Sequence, residues 1–129
     1  MQTQSKNPQN IRIVGMGTFG TIYVGITGHA AIVFLLELQE GEVVQALKHS
    51  DVGHIDLVYG KTGINGYGLA HIQEKHPEMI RDLSTVIENG SVIKKIDDRM
   101  YLETPDGRAI IRLDWDGNKK SWVVTAYKT

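Results

Sequence analysis

Cysteine is absent from the 129 residues. That single absence excludes a disulfide framework, a thiolate zinc site and a cysteine nucleophile. Long apolar runs are missing too: the longest, Ala30 to Leu36, is less than half of what spans a bilayer, and no charged n-region with a cleavage site opens the chain. No membrane association, signal peptide or transmembrane segment is expected, and a cytoplasmic location is. An excess of one charge sign is also lacking, with fourteen Lys and Arg against fifteen Asp and Glu, so the global field points to no polyanion. The regions differ slightly. Residues 1–90 hold six basic and nine acidic groups, whereas residues 91–129 hold eight basic and six acidic ones, which favours the C-terminal third for a phosphate-bearing ligand.

What is present fits one ordinary globular domain, at 41% hydrophobic and 22% charged residues. Residues 1–10 are Gln, Asn, Ser and Lys with almost nothing to bury, and are expected to form a flexible N-terminal segment ahead of a single domain over 11–129. From Ile11 to Gly28 the closely spaced glycines suit short extended pieces and turns. Gly15-x-Gly17-x-x-Gly20 matches the dinucleotide-binding pattern, but Thr21 to Val24 reads as a strand where that pattern needs a helix. Ala30 to Glu40 is expected as a helix, and Glu42–Lys48 and Ile55–Tyr59 as strands around a polar turn. Tyr67–His76 and Glu78–Asn89 read as two helices separated by Pro77. Four alternating segments then follow to Lys128, divided by Asp-Asp, Pro-Asp-Gly and Asp-Gly-Asn turns. The expected fold class is α+β, with helices packed on one face of a four-stranded antiparallel sheet.

Two places gather reactive side chains. On the helix through Tyr67, residues Tyr67, His71 and Lys75 share a face behind a Gly-rich loop that carries Lys61, while His76 lies beside the apolar stripe of Leu69 and Ile72. A spacing of five sets His71 and His76 about 140° apart on a helix, which is unsuited to chelation, so no metal site is expected. If the last hairpin turns at Gly117-Asn118, Arg112 pairs with Val123 and Leu113 with Trp122. Arg108, Arg112, Thr125 and Tyr127 then share one side, with the Trp122 ring on the other. A guanidinium beside hydroxyls is a competent phosphate-holding surface.

The segments Gly66-Tyr67-Gly68-Leu69-Ala70-His71-Ile72-Gln73-Glu74-Lys75-His76-Pro77, Ile55-Asp56-Leu57-Val58-Tyr59-Gly60 and Trp122-Val123-Val124-Thr125-Ala126-Tyr127-Lys128 resemble one family. It is the phage barnase-EndoU-colicin-RelE-like nucleases, found at the ends of phage head-morphogenesis (MuF-type) and polyvalent proteins. The resemblance covers roughly residues 30–129. It implies a barnase-like, metal-independent endoribonuclease, toxin-like or phage-delivered, that needs no cofactor and cleaves RNA by attack of its own 2′-hydroxyl. Its motif residues fall here on His71, His76, Arg112, Thr125 and Tyr127 as the catalytic set. Lys75, Lys61, Tyr67 and Arg108 are the expected substrate-binding residues. The partners implied are RNA, tRNA among the candidates, and an immunity or antitoxin protein, with a cytoplasmic or phage-particle location. Val123-Val124 stands where the bulkier Leu-Leu is expected, and Ile11 to Gly28 has no counterpart.

The chemistry suits these residue types. Such cleavage needs a base for the 2′-hydroxyl proton, donors for the crowded phosphate and an acid for the departing 5′-oxygen. An imidazole titrates near neutrality and serves as either base or acid. Two other readings stand beside this one: a non-catalytic phage-particle domain that binds nucleic acid or protein, and a nucleotide-binding enzyme built on Gly15 to Gly20. Convergence of His71, Arg112 and Thr125 on one cleft separates the first of these from a nuclease.

Overall fold

The computed structural model describes residues 10–129. The segment expected to be flexible therefore lies outside the described residues, apart from Asn10. The chain runs β1 (Arg12–Gly17), β2 (Gly20–Val24), α1 (Gly28–Leu38), β3 (Glu42–His49), β4 (Gly53–Val58), α2 (Gly68–Lys75), a 3₁₀ segment (Pro77–Asp82), α3 (Leu83–Asn89), β5 (Ser91–Ile96), β6 (Arg99–Thr104), β7 (Gly107–Trp115) and β8 (Asn118–Tyr127). The strands form one sheet in the order β1-β2-β3-β4-β8-β7-β6-β5. Its neighbours are antiparallel except β2 with β3 and β4 with β8.

The sheet corrects the expected four-stranded antiparallel one: the C-terminal meander is half of an eight-stranded mixed sheet. The physical reason lies in β4, where Ile55, Asp56, Leu57 and Val58 are consecutively buried, as a central strand is rather than a half-wet one. β4 takes a place beside β8 through the register pair Asp56↔Trp122. One core then runs through the molecule. Ala31, Ile32 and Leu35 of α1, Leu69 and Ile72 of α2, and Leu83, Val86 and Ile87 of α3 meet Val43, Leu57, Ile111, Val123 and Ala126 of the sheet.

Local chemistry sets the boundaries. α1 takes up the apolar run and ends where Gln39 turns left-handed (φ 61°), its amide donating to the Leu35 carbonyl. The segment Glu78–Asn89 is not one helix. His76 has φ −139° and Pro77 follows, so the chain makes a 3₁₀ segment before α3 begins at Leu83. Gly15 to Gly20 belongs to the β1–β2 hairpin, with no helix after it, which removes the dinucleotide-binding reading.

The β7–β8 hairpin turns on Asp116 and Gly117, both at positive φ, one residue earlier than expected. Two irregularities in the pairing then shift the register. Near the open end, Arg108 pairs with Tyr127 and Ile110 with Thr125, but nearer the turn Ile111 pairs with Val123 and Arg112 with Trp122. Ala109, Ile111, Val123 and Ala126 enter the core. Arg108, Arg112, Thr125 and Tyr127 alternate with them on the opposite face, as expected. Trp122 does not oppose them: it lies opposite Arg112 on that same face, against Phe19, Tyr67 and Trp115.

Candidate active site

β4 and β8 share a single register pair, and α2 packs against both strands at the place where they part. Gly68, at φ 77°, begins the helix against the carbonyls of Val58 and Tyr59, an approach with no room for a Cβ. The Ala70 amide donates to the Tyr59 carbonyl at 2.7 Å. Leu69 and Ile72 point into the core, so the other side of the short helix is presented to β8.

His71 and His76 meet there. Their ring centroids are 5.7 Å apart at 73°, and the His76 ring lies 5.8 Å from that of Tyr127. The expectation of rings about 140° apart is corrected, because α2 stops at Lys75. His76 leaves the helical path while its amide still donates to the Ile72 carbonyl, and its ring folds back towards His71. Arg108 faces Tyr127 across the β7–β8 pair, and Thr125 stands two residues before Tyr127 on the same face. Arg108 is tethered at one nitrogen, donating from Nη2 to Glu103 at 3.0 Å.

Among the described residues, three buried side-chain atoms have no hydrogen-bond partner: His71 Nδ1, Arg108 Nε and Thr125 Oγ1. All three belong to this cluster. Buried polar atoms are normally satisfied, and an orphan costs about 1–3 kcal/mol. A ligand bearing oxygen atoms would satisfy these. The His71 imidazole is held below its ordinary value of 6.5, by burial first and by the charge of His76 second, with Glu74 opposing and Lys75 reinforcing the shift. It is therefore neutral at pH 7, with a nitrogen free to accept a proton. The Arg108 guanidinium is held above its ordinary value by the Glu103 carboxylate first and the Tyr127 oxygen second.

Arg112 is elsewhere. It pairs with Trp122 and donates from Nε to Asp98 at 2.9 Å and Asp114 at 3.3 Å, so two carboxylates answer its charge, and it stacks 5.2 Å from the Trp115 ring. Tyr67, the residue before α2, packs with the other aromatic group, 5.8 Å from Trp122 and 6.0 Å from Phe19. Lys75 and Lys61 are exposed, the latter bridged through its backbone to Tyr67. His71, His76, Thr125, Tyr127 and Arg108 are thus brought together, and Arg112 and Tyr67 stand with the aromatic group around Trp122 instead. Glu103 is missed by sequence reasoning, although the Pro-Asp-Gly turn between β6 and β7 is what sets it opposite Arg108.

A family model described as phage-Barnase-EndoU-ColicinE5/D-RelE like nuclease1 matches residues 46–129. The chain belongs to this nuclease family. No curated protein and no solved structure matches it. The matched span carries every member of the cluster around His71, and it leaves out β1, β2, α1 and the start of β3. Among the described residues no helix is long and apolar enough to cross a membrane.

Proposed function

We propose that this phage-type nuclease is an endoribonuclease that cleaves by 2′-hydroxyl attack without a metal ion. The observation that carries the reading is the convergence of unpartnered His71 Nδ1, Thr125 Oγ1 and Arg108 Nε on one sheet face. His71, neutral at pH 7, takes the 2′-hydroxyl proton. Arg108 and Thr125 donate to the non-bridging oxygens as charge builds on the phosphate, where preorganised donors act most strongly. His76, whose ring lies 5.7 Å from that of His71, protonates the departing 5′-oxygen in this reading, and Tyr127 orients it. Arg112, answered by Asp98 and Asp114, anchors the sheet rather than the phosphate. Lys75 and Lys61 extend the electrostatic reach towards the flanking strand. An immunity or antitoxin protein that covers this face is the partner such an activity calls for.

The test is incubation of the protein with total RNA in excess EDTA, beside His71→Ala. New 2′,3′-cyclic phosphate ends from the natural chain alone are expected. Strict Mg²⁺ dependence, 5′-phosphate ends, or equal cleavage by His71→Ala would overturn it.

A further inference from the structure

A cavity of about 350 Å³ lies away from the histidines, on the same sheet face. The tips of two hairpins close over it: Thr18 and Phe19 between β1 and β2, and Trp115, Asn118 and Lys120 from β7 and β8. Phe19 reaches across to stand 5.1 Å from Trp115 and 5.2 Å from Trp122. Glu42 and Asp56 form part of the floor.

That floor holds a charged triad. Lys120 Nζ donates to Glu42 Oε1 and to Asp56 Oδ2, both at 2.6 Å, with the two carboxylates almost fully buried. Burial alone would lower the ammonium's pKa, but the hydrogen bonds and charges of Asp56 and Glu42 outweigh it and hold the group above its ordinary value. The other oxygen of Asp56 accepts the Gln45 amide at 2.7 Å. To deliver that amide, Gln45 sits at φ 58° within an irregularity of β3, a conformation disfavoured for a residue with a Cβ. Strain of this kind clusters at binding sites.

The chemistry narrows what the cavity takes. With one cation and two carboxylates the triad is net negative, which repels a phosphate. Lys120 already fills the position between the carboxylates that a metal ion would occupy. What remains is one ammonium N–H of three and Glu42 Oε2, which accepts no hydrogen bond among the described residues. A donor and an acceptor side by side, under an aromatic wall, match the edge and face of a neutral heterocyclic base.

We propose that this cavity is a nucleobase subsite of the nuclease, which selects the RNA sequence cleaved. The proposal rests on the reading of the His71 cluster as the cleavage site. Lys120 and Thr125 are five residues apart on one strand, about 17 Å at the usual rise, so the base read is not the one at the scissile bond but one further along the strand. Thr18, Phe19 and Glu42 precede residue 46, so the part of the chain outside the family match builds half of the subsite. Selectivity then comes from this addition, and cleavage from the family's own residues.

The decisive measurement is binding, which requires no cleavage. The four nucleoside 3′-monophosphates are titrated into the whole protein and followed by amide and indole NMR signals. One of the four is expected to shift Phe19, Trp115 and Lys120 at millimolar or lower concentration, and Glu42→Gln to weaken that binding at least tenfold. Because Glu42→Gln also disturbs the triad, Phe19→Ala provides a second variant at an outer wall, expected to weaken it at least threefold while the protein still melts cooperatively. On RNA, Phe19→Ala should flatten the preference for the selected base. Absence of binding at tens of millimolar, or shifts confined to His71 and Tyr127, would overturn the subsite even if the protein cleaves RNA. Binding in the cavity by a protein that never cleaves would instead leave the subsite standing and remove only the cleavage reading.

Discussion

The imidazole of His71 stands 5.7 Å from that of His76 although a helix end lies between them. The break at Lys75 is what makes them neighbours. On a continued α-helix the two rings would diverge by about 140°. Pro77 and the extended φ of His76 thereby turn two histidines of unrelated phase into one pair, and Tyr127 of the last strand completes the row.

His71→Ala is expected to reduce cleavage by about 10²–10⁴-fold, the usual worth of a positioned base. Its melting temperature should stay level or rise slightly, because the substitution removes a buried nitrogen that has no partner. Initial rates and thermal melts on the same preparations check this. A large loss of stability would show that the ring is a packing element.

Burial and the nearby His76 charge depress the His71 pKa, and the sign of the consequence follows. Between the folded value and the unfolded value near 6.5, the unfolded chain binds the extra proton, so stability rises with pH there. The contribution is fully present above about pH 6.5 and is lost as pH falls through the folded value. Urea melts at pH 7.5 and pH 5 should show the decline, smaller in His71→Ala. NMR titration of the His71 ring should give a midpoint below 6.5 that moves upward in His76→Gln, whose amide carries no charge to oppose protonation.

The two arginines of the open face should separate. Arg108→Gln is expected to cost about 10²–10³-fold in rate, as loss of a donor to developing charge does, with little change in melting. Arg112→Gln should do the reverse: activity within severalfold of the natural chain, and a loss of about 0.5–1 kcal/mol from its partly exposed pairs with Asp98 and Asp114. Chemical melts and rates read both. Inactivity of Arg112→Gln with an unchanged melt would return the phosphate site to that residue.

Gly60→Ala tests the loop that presents Tyr67. At φ 76°, with the Tyr67 carbonyl against the place a Cβ would take, the substitution should lower stability by at least about 1–3 kcal/mol. The ring of Tyr67 would shift away from Trp122, so tryptophan fluorescence should change with it.

Much of the fold is legible locally. The apolar run Ala30 to Leu36 marks α1, and the alternation after Ser91 marks β5 to β8 with their turns. The site is half legible for the same reason: period two places Arg108, Thr125 and Tyr127 on one face, and the family motif singles out His71. What fails depends on distant or irregular features. The parallel pairing of β4 with β8 leaves no trace in either strand's pattern, so the sheet reads as four strands. The irregular register around Val124 depends on the Asp116-Gly117 turn and on packing, so Trp122 is assigned to the wrong face. Lys120, Glu42 and Asp56 look like ordinary scattered charges until the strand order β3-β4-β8 brings them together.

The pairing of Asp56 with Trp122 also sets an order of events. Half the chain separates these two residues, and loop closure on that scale is slow beside the formation of a local hairpin. α2 cannot gain its bed on β8, nor His76 its neighbour Tyr127, before the last strand has been synthesised and inserted. The histidine cluster is therefore among the last features of the fold to assemble, whole only once β8 has taken its place beside β4.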